Sequence, residues 1–315
     1  MISIIIPTYE ASKHLGLLLE SISSQTVKDF ELIVIDSSSS DSTLDIAKSY
    51  NAKITVIDQS EFDHGRTRTL AAEQAKGEIL VYFTQDAKPR DRIAIEKLIK
   101  PIEEDDQVAA AYGRQLPVPD SSVFAQHLRL FNYPDKSQMR QLSDCDKLGI
   151  KTAFLSNSFA AYRRSDLAAI GYFKDGLIFG EDTYATAKML LKGKKIAYAA
   201  DAKVFHSHNY TICQDFRRYF DMGVFHRSED WLLKEFGKAE GQGIKYIKSE
   251  ITFLVKRKRF DLFPEFVLRI LAKYLGYKLG GQYIYFPRCI NKKFSINQQW
   301  WNKVTVLSQH LVSDH

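Results

Sequence analysis

The run Ile79-Leu80-Val81-Tyr82-Phe83 is followed by Thr84-Gln85-Asp86-Ala87-Lys88-Pro89, so an apolar stretch stops on one carboxylate before a helix-compatible segment opens at Arg90. A short apolar run bounded by turn residues reads as a buried strand of a parallel α/β sheet. In such sheets ligands lie beyond the carboxyl ends of the strands. Asp86 therefore stands where chemistry is expected.

Working outward, short β-branched runs alternate with helical patterns over the first 110 residues, the signature of βα units around a mainly parallel sheet flanked by helices. Strands are expected at Ile2 to Ile6, Leu32 to Asp36, Lys53 to Ile57, Ile79 to Thr84 and Val108 to Tyr112. Helices are expected at Leu15 to Gln25, Ser42 to Ser49, Arg66 to Lys76 and Arg90 to Glu103. Leu15, Leu18, Leu19 and Ile22 give the first helix one apolar face to pack on the sheet. The strand ends are polar: Pro7-Thr8-Tyr9-Glu10, then Asp36 with a serine run to Asp41, then Asp63-His64-Gly65, then Gln85-Asp86. A turn with a helix cap at Asp41 or Ser42 explains the serines equally well, but not Asp36 at the strand tip.

From Phe154 the pattern is mixed. "FLSNSFAAYRR" is strand-like, "GEDTYATAKMLLKG" helical, and "KIAYAADAKVFHSH" reads as two short strands ending in histidines. After Tyr210 helices are expected at Gln214 to Phe236, Gly243 to Lys258 and Phe263 to Leu279. The stretch "GKAEGQG" suggests a catalytic region 1–237, with halves 1–112 and 113–237, and a basic amphipathic helical region 238–315.

A chain of 315 residues with 45% hydrophobic content can bury one large core or two smaller ones. The net charge of +6 is modest and sits mostly in the C-terminal third, so nucleic acid is not the expected partner. Cys145, Cys213 and Cys289 are widely spaced, which suggests neither a disulfide framework nor a zinc site and fits a reducing cytoplasm. No apolar run approaches the roughly 18 residues a membrane span needs, and "ISIIIP" opens without a basic leader. The nucleotide-binding motifs GxGxxG and GxxxxGK[ST] are missing, so phosphates would be neutralised by side chains or a metal.

"IIPTYE", "LIVIDSSSSDST", "FDHGRTRTLAAEQAKGEILVYFTQDA" and "GEDTYATAKML" together resemble the ordered blocks of family 2 glycosyltransferases with the GT-A fold, over roughly residues 1 to 230. Within that family, "FTQDA", "YGRQLP", "FNYP", "SNSFAAYRR" and "HSHNYTICQDFRRYFDMGVFH" look most like bacterial rhamnosyltransferases that use dTDP-L-rhamnose for surface polysaccharides. The resemblance implies that Pro7, Thr8, Tyr9, Glu10, Asp36, His64, Arg68, Gln85 and Asp86 meet the donor, with Asp36 accepting the imide N–H of the base. Thr69 departs from the pattern, since relatives commonly carry asparagine there. The family's usual Asp-x-Asp is reduced to Thr84-Gln85-Asp86, so the resemblance makes Asp86 and His206 the ligands of Mg²⁺ or Mn²⁺.

The acidic pair of "GED" matches the family's general base, which gives Asp182 that role and leaves Glu181 to orient the acceptor or Asp182. Both acids would also favour a helix N-terminus for purely structural reasons. Arg114, Gln115, Asn157 and His208 fall on the acceptor side, and Arg217 and Arg218 are candidate cations for the leaving diphosphate.

In the C-terminal third, Phe263, Phe266, Val267, Ile270, Leu271, Tyr274 and Leu275 form an apolar stripe at helical spacing beside Lys256 to Arg259 and further cations. Such a helix either lies on an anionic membrane, as a polyprenyl-diphosphate-linked acceptor would require at the inner face of the cytoplasmic membrane, or packs on the catalytic region or in a homodimer. The sequence thus points to an inverting transferase moving L-rhamnose to a saccharide acceptor. The alternatives are a UDP-hexose donor, a non-catalytic saccharide- or nucleotide-binding scaffold, and a basic nucleic-acid-binding protein.

Overall fold

The strands are β1 (Ile2–Thr8), β2 (Phe30–Asp36), β3 (Lys53–Val56), β4 (Ile79–Phe83), β5 (Lys88–Pro89), β6 (Val108–Leu116), β7 (Gln138–Arg140), β8 (Phe159–Arg163) and β9 (Lys195–Phe205). The structure is a computed structural model that describes residues 1–238 and 241–303. The helices are α1 (Ser12–Ser23), α2 (Thr43–Ser49), α3 (His64–Gln74), α4 (Ala94–Glu104), α5 (Val123–Asn132), α6 (Cys145–Leu148), α7 (Arg164–Ala169), α8 (Glu181–Leu191), α9 (Ile212–Ser228), α10 (Asp230–Phe236), α11 (Gln242–Lys256), α12 (Phe263–Gly280) and α13 (Arg288–Phe294).

The chain forms two compact units, one of Met1–Asp175 with Glu181–His208 and the other of Gly176–Gly180 with the chain from Asn209 onward. The division falls at His208, not at residue 237 as "GKAEGQG" suggested, because α9 packs along α12. Residues 239–240 and 304–315 of the expected C-terminal region lie outside the described residues.

In the first unit the sheet order is β3-β2-β1-β4-β8-β6-β9-β5, with β7 also on β9. Parallel pairing joins β3, β2, β1 and β4, as the βα alternation implied, and also β6 with β9. β8 runs antiparallel between β4 and β6, which makes the second half mixed. The apolar face of α1 is buried as expected: Leu15, Leu18, Leu19 and Ile22 are sealed against the sheet, each contributing about 2 kcal/mol.

"KIAYAADAKVF" forms one strand, not two. Its pairing with β6 slips between Gly113/Ala199 and Arg114/Lys203, so Ala200 to Ala202 bulge out and break the alternation that sequence reading relies on. Gly113 makes that approach possible, since a Cβ there would fall 2.3 Å from the Phe159 ring and 2.6 Å from the Ala202 carbonyl oxygen.

In the second unit the expected helix Gln214 to Phe236 is broken at Glu229 into α9 and α10. The expected stripe on α12 forms, but it does not all face inward. Phe266, Arg269, Lys273, Gly276 and Gly280 are the buried positions, while Val267, Leu271, Tyr274 and Leu275 face solvent. Gly276 and Gly280 allow close helix contact, for a Cβ would lie 2.3 Å from the Phe216 carbonyl oxygen and 2.0 Å from that of Phe220.

Candidate active site

Strand register assembles the first part of the site. Parallel pairing sets Thr8 beside Asp36 at the ends of β1 and β2, and the Thr8 hydroxyl donates to Asp36 Oδ2 at 2.7 Å. Ser39 adds its backbone N–H to Oδ1 and its hydroxyl to Oδ2, both at 2.7 Å, so the fully buried Asp36 carboxylate is held by three donors. Glu10 accepts from the backbone and hydroxyl of Ser40, each at 2.9 Å, which ties the two strand-end loops together. Glu10 and Ser38 both occupy left-handed backbone, at φ 46° and 58°. For residues with a Cβ this is uncommon and concentrates at ligand-binding turns.

Gln85 engages the backbone of Tyr9, accepting from its N–H at 2.9 Å and donating to its carbonyl at 3.1 Å. An amide can do both, so this residue links the tips of β4 and β1 where a carboxylate could not. Pro7 is half-buried, and Tyr9 and Glu10 are exposed beside it.

The histidines are delivered by a second register. Antiparallel pairing of β5 with β9 sets Lys88 beside Phe205, and continuing it places Asp86 opposite Ser207. Alternate residues of an extended segment share a side. His206 and His208 accordingly both turn toward Asp86, with Nε2 atoms 3.4 Å and 3.8 Å from its carboxylate oxygens, while the Ser207 hydroxyl meets Ser121 at 2.6 Å. Asp86, His206 and His208 are the group among the described residues able to hold a metal, with one ligand atom from each lying within 4.8 Å of the others.

The donor set suits a divalent cation. Gln115 Oε1 accepts from His206 Nδ1 at 2.9 Å, which puts the ring proton on Nδ1 and aims Nε2 at Asp86. Burial opposes charge on Asp86, but the two histidines outweigh it and hold its carboxyl well below the usual range. His208, expected on the acceptor side, thus joins Asp86 and His206 among the residues able to hold a metal.

The acidic pair opens α8. Glu181 is buried, and its carboxylate meets Arg68 Nη1 at 3.2 Å and the Asn157 side-chain amide at 3.0 Å. Burial pushes Glu181 up, but Arg68, His64 and Asn157 together keep it below its ordinary value. Asp182 accepts from the backbone N–H of Thr183 at 2.7 Å and of Asn157 at 3.2 Å. Burial and the neighbouring Glu181 charge push Asp182 up to about 7. Two adjacent carboxylates driven apart in this way divide into a permanent anion and a group that exchanges protons near neutrality.

Sequence reading named Asn157 but missed that Ser156-Asn157-Ser158 joins these parts. Ser156 accepts from Gln115 Nε2 at 3.0 Å, Asn157 contacts both acids, and the Ser158 carbonyl accepts from Thr84 N–H at 3.3 Å. Tyr162 fixes Asn157 by donating to its Oδ1 at 2.8 Å. Gln115 and Asn157, expected on the acceptor side, are buried, and their side-chain amides bond within the chain. Arg114 turns to the Tyr133 carbonyl at 3.1 Å. Arg68 Nη1 faces Glu181 and donates to the His64 carbonyl at 3.0 Å, and Thr69 bonds the Phe173 backbone. Arg217 and Arg218 lie on α9 of the second unit.

The parallel half-sheet with polar strand tips, the Asp-His-His group and the acid pair that opens α8 agree with a glycosyltransferase of GT-A architecture. The Glycosyl transferase family 2 profile matches residues 3–171, more than half of the chain, and the protein belongs to that family. Over 96% of both chains it is 44% identical to O-antigen chain rhamnosyltransferase RfbN of Salmonella typhimurium strain LT2. It is 43% identical, again over 96% of both chains, to O-antigen chain rhamnosyltransferase WbaN of Salmonella anatum. The fold is shared with the mannosyltransferase PcManGT from Pyrobaculum calidifontis in complex with GDP-Man and Mn²⁺ (TM-score 0.57, 17% identity, 100% of this chain and 88% of that one). It is also shared with S. aureus TarS 1-349 in complex with UDP-GlcNAc (TM-score 0.57, 19% identity, 94% and 84%). No helix among the described residues is long and apolar enough to cross a membrane.

Proposed function

We propose that this glycosyltransferase moves L-rhamnose from dTDP-L-rhamnose to a saccharide acceptor of a bacterial surface polysaccharide, with inversion at the anomeric carbon. The observation that carries the reading is Asp182, a partly buried carboxyl held by two backbone N–H groups and raised to about 7 beside Glu181. The choice of sugar follows the two O-antigen rhamnosyltransferases that match nearly the whole chain.

In this mechanism an acceptor hydroxyl attacks the anomeric carbon on the face opposite the diphosphate. Asp182 takes the hydroxyl proton, the new C–O bond forms, and the bond to the diphosphate breaks with its electron pair leaving on dTDP. A β-linked donor then gives an α-L-rhamnoside. Burial, together with Glu181 kept ionised by Arg68, holds Asp182 at the protonation threshold a general base needs. Asp36 would accept the imide N–H of thymine and Glu10 the ribose hydroxyls, with Pro7, Thr8, Tyr9 and His64 completing the donor cradle. Mg²⁺ or Mn²⁺ held by Asp86, His206 and His208 would supply positive charge to the departing diphosphate. The acceptor would be polyprenyl-diphosphate-linked and presented at the inner face of the cytoplasmic membrane.

The test is release of nucleoside diphosphate from a panel of dTDP-, UDP- and GDP-sugars, with Mn²⁺, Mg²⁺ or chelator. Preferential turnover of dTDP-L-rhamnose with metal is expected. Preference for a UDP-hexose, or no binding of any donor, would overturn the proposal.

A further inference from the structure

We propose that the outward face of α12 docks the protein on an anionic lipid surface. The helix is inverted relative to one that meets water. Val267, Leu268, Leu271, Tyr274 and Leu275 are each at least 50% exposed, at the spacing of one continuous helical face. The charged residues Arg269 and Lys273 are turned inward, where Asp215 on α9 receives the guanidinium and Tyr246 on α11 meets the ammonium at 3.2 Å. The burial of these cations with partners fixes the rotation of α12, so the apolar face is presented by design of the surrounding helices. A contiguous apolar face of this kind marks an interaction site, unlike scattered exposed residues.

The charge around it selects the occupant. Residues 241–303 hold thirteen Lys and Arg against three Asp and Glu, although the whole chain carries only +6. Asp261 is paired with Arg259, Glu265 with Arg269, and Glu250 is buried against Tyr246, so the acids add little negative field. Lys256, Arg257 and Lys258 are exposed at the turn that leads into α12, and Lys278 follows Tyr274 on the outward face. Phe260 at that turn and Tyr285 beyond the helix are exposed at 61% and 77%, supplying aromatic groups of the type that settle at a lipid interface. A second copy docked face to face would bring the same cations together, whereas anionic headgroups neutralise them.

This docking rests on the reading above only in that a lipid-borne acceptor gives it a purpose. Co-sedimentation of the full chain is measured with phosphatidylethanolamine vesicles containing phosphatidylglycerol and with phosphatidylcholine vesicles, without donor or acceptor, so failure here leaves the transfer reading intact. Binding at least tenfold stronger to the anionic vesicles is expected, weakening as salt rises. Leu271→Glu with Leu275→Glu should lose at least tenfold in binding while donor turnover in solution stays unchanged. Should that pair fail to fold by circular dichroism, Lys256→Gln with Lys258→Gln, at the exposed turn, should weaken binding roughly tenfold. Equal binding to both vesicle types, wild-type binding by a folded variant, or a dimer in sedimentation equilibrium that Leu271→Glu dissolves would each overturn the proposal.

Discussion

Replacing Arg68 with Met would remove the cation that faces Glu181 at 3.2 Å, with both side chains less than a tenth exposed. At an effective dielectric of about 20 the Coulomb attraction across that distance is about 5 kcal/mol. Breaking a buried pair by removing one partner costs about 3–5 kcal/mol, because the other charge is left without compensation. Asn157 still donates to Glu181 at 3.0 Å, which places the expected loss toward the lower end, about 3 kcal/mol. The double variant Arg68→Met with Glu181→Gln removes both charges and should recover most of that loss. Urea unfolding of the wild type, the two single variants and the double variant gives the coupling energy directly. A loss under about 1 kcal/mol for Arg68→Met, or strictly additive losses in the double variant, would refute the buried pair as the anchor of the acidic site. It would also return Arg68 to the donor-binding role implied by the resemblance.

Asp182→Asn should stabilise the protein above neutral pH, on the order of 2 kcal/mol. The raised native carboxyl binds its proton more tightly than the unfolded one, so the wild type loses stability between about pH 4 and 7 and stays lower above that. Thermal melts of both proteins at pH 5 and pH 8 check this, and a gap that does not widen with pH contradicts it. Gln115→Leu removes the acceptor for His206 Nδ1 and should weaken Mn²⁺ binding about 10- to 100-fold, read by titration calorimetry without donor; unchanged affinity would deny it a positioning role. Gly65→Ala would set a Cβ 1.9 Å from the Lys174 carbonyl oxygen and should cost about 1–3 kcal/mol in urea unfolding, an unchanged midpoint being the contrary result.

The parallel half of the sheet was legible because each strand is a run of apolar residues closed by a polar tip, and burial on both faces leaves that mark in the sequence. Asp86 was found for the same reason, as the acid that closes an apolar run, whereas Glu181 and Asp182 were assigned by the resemblance to the family's acidic pair. The support for them was not. Ser156 to Ser158 has no periodicity and lies before β8, so its role depends on antiparallel pairing with β4, which no local pattern announces. Gln115 lies past the expected strand end at Tyr112 and was placed on the acceptor side, whereas the β6–β9 pairing sets it against His206. On α12 the spacing of Val267, Leu271 and Leu275 announced a stripe but not its direction. That direction is set by Asp215 and Tyr246, tens of residues away in sequence.

The role of Asp182 as general base in transfer from dTDP-L-rhamnose is tested most directly by comparing wild-type and Asp182→Asn protein on that donor with Mn²⁺ present. A fall in turnover of about 10²- to 10⁴-fold with donor binding unchanged is predicted, the range expected for loss of a general base. Turnover by Asp182→Asn within a few-fold of wild type would contradict the account.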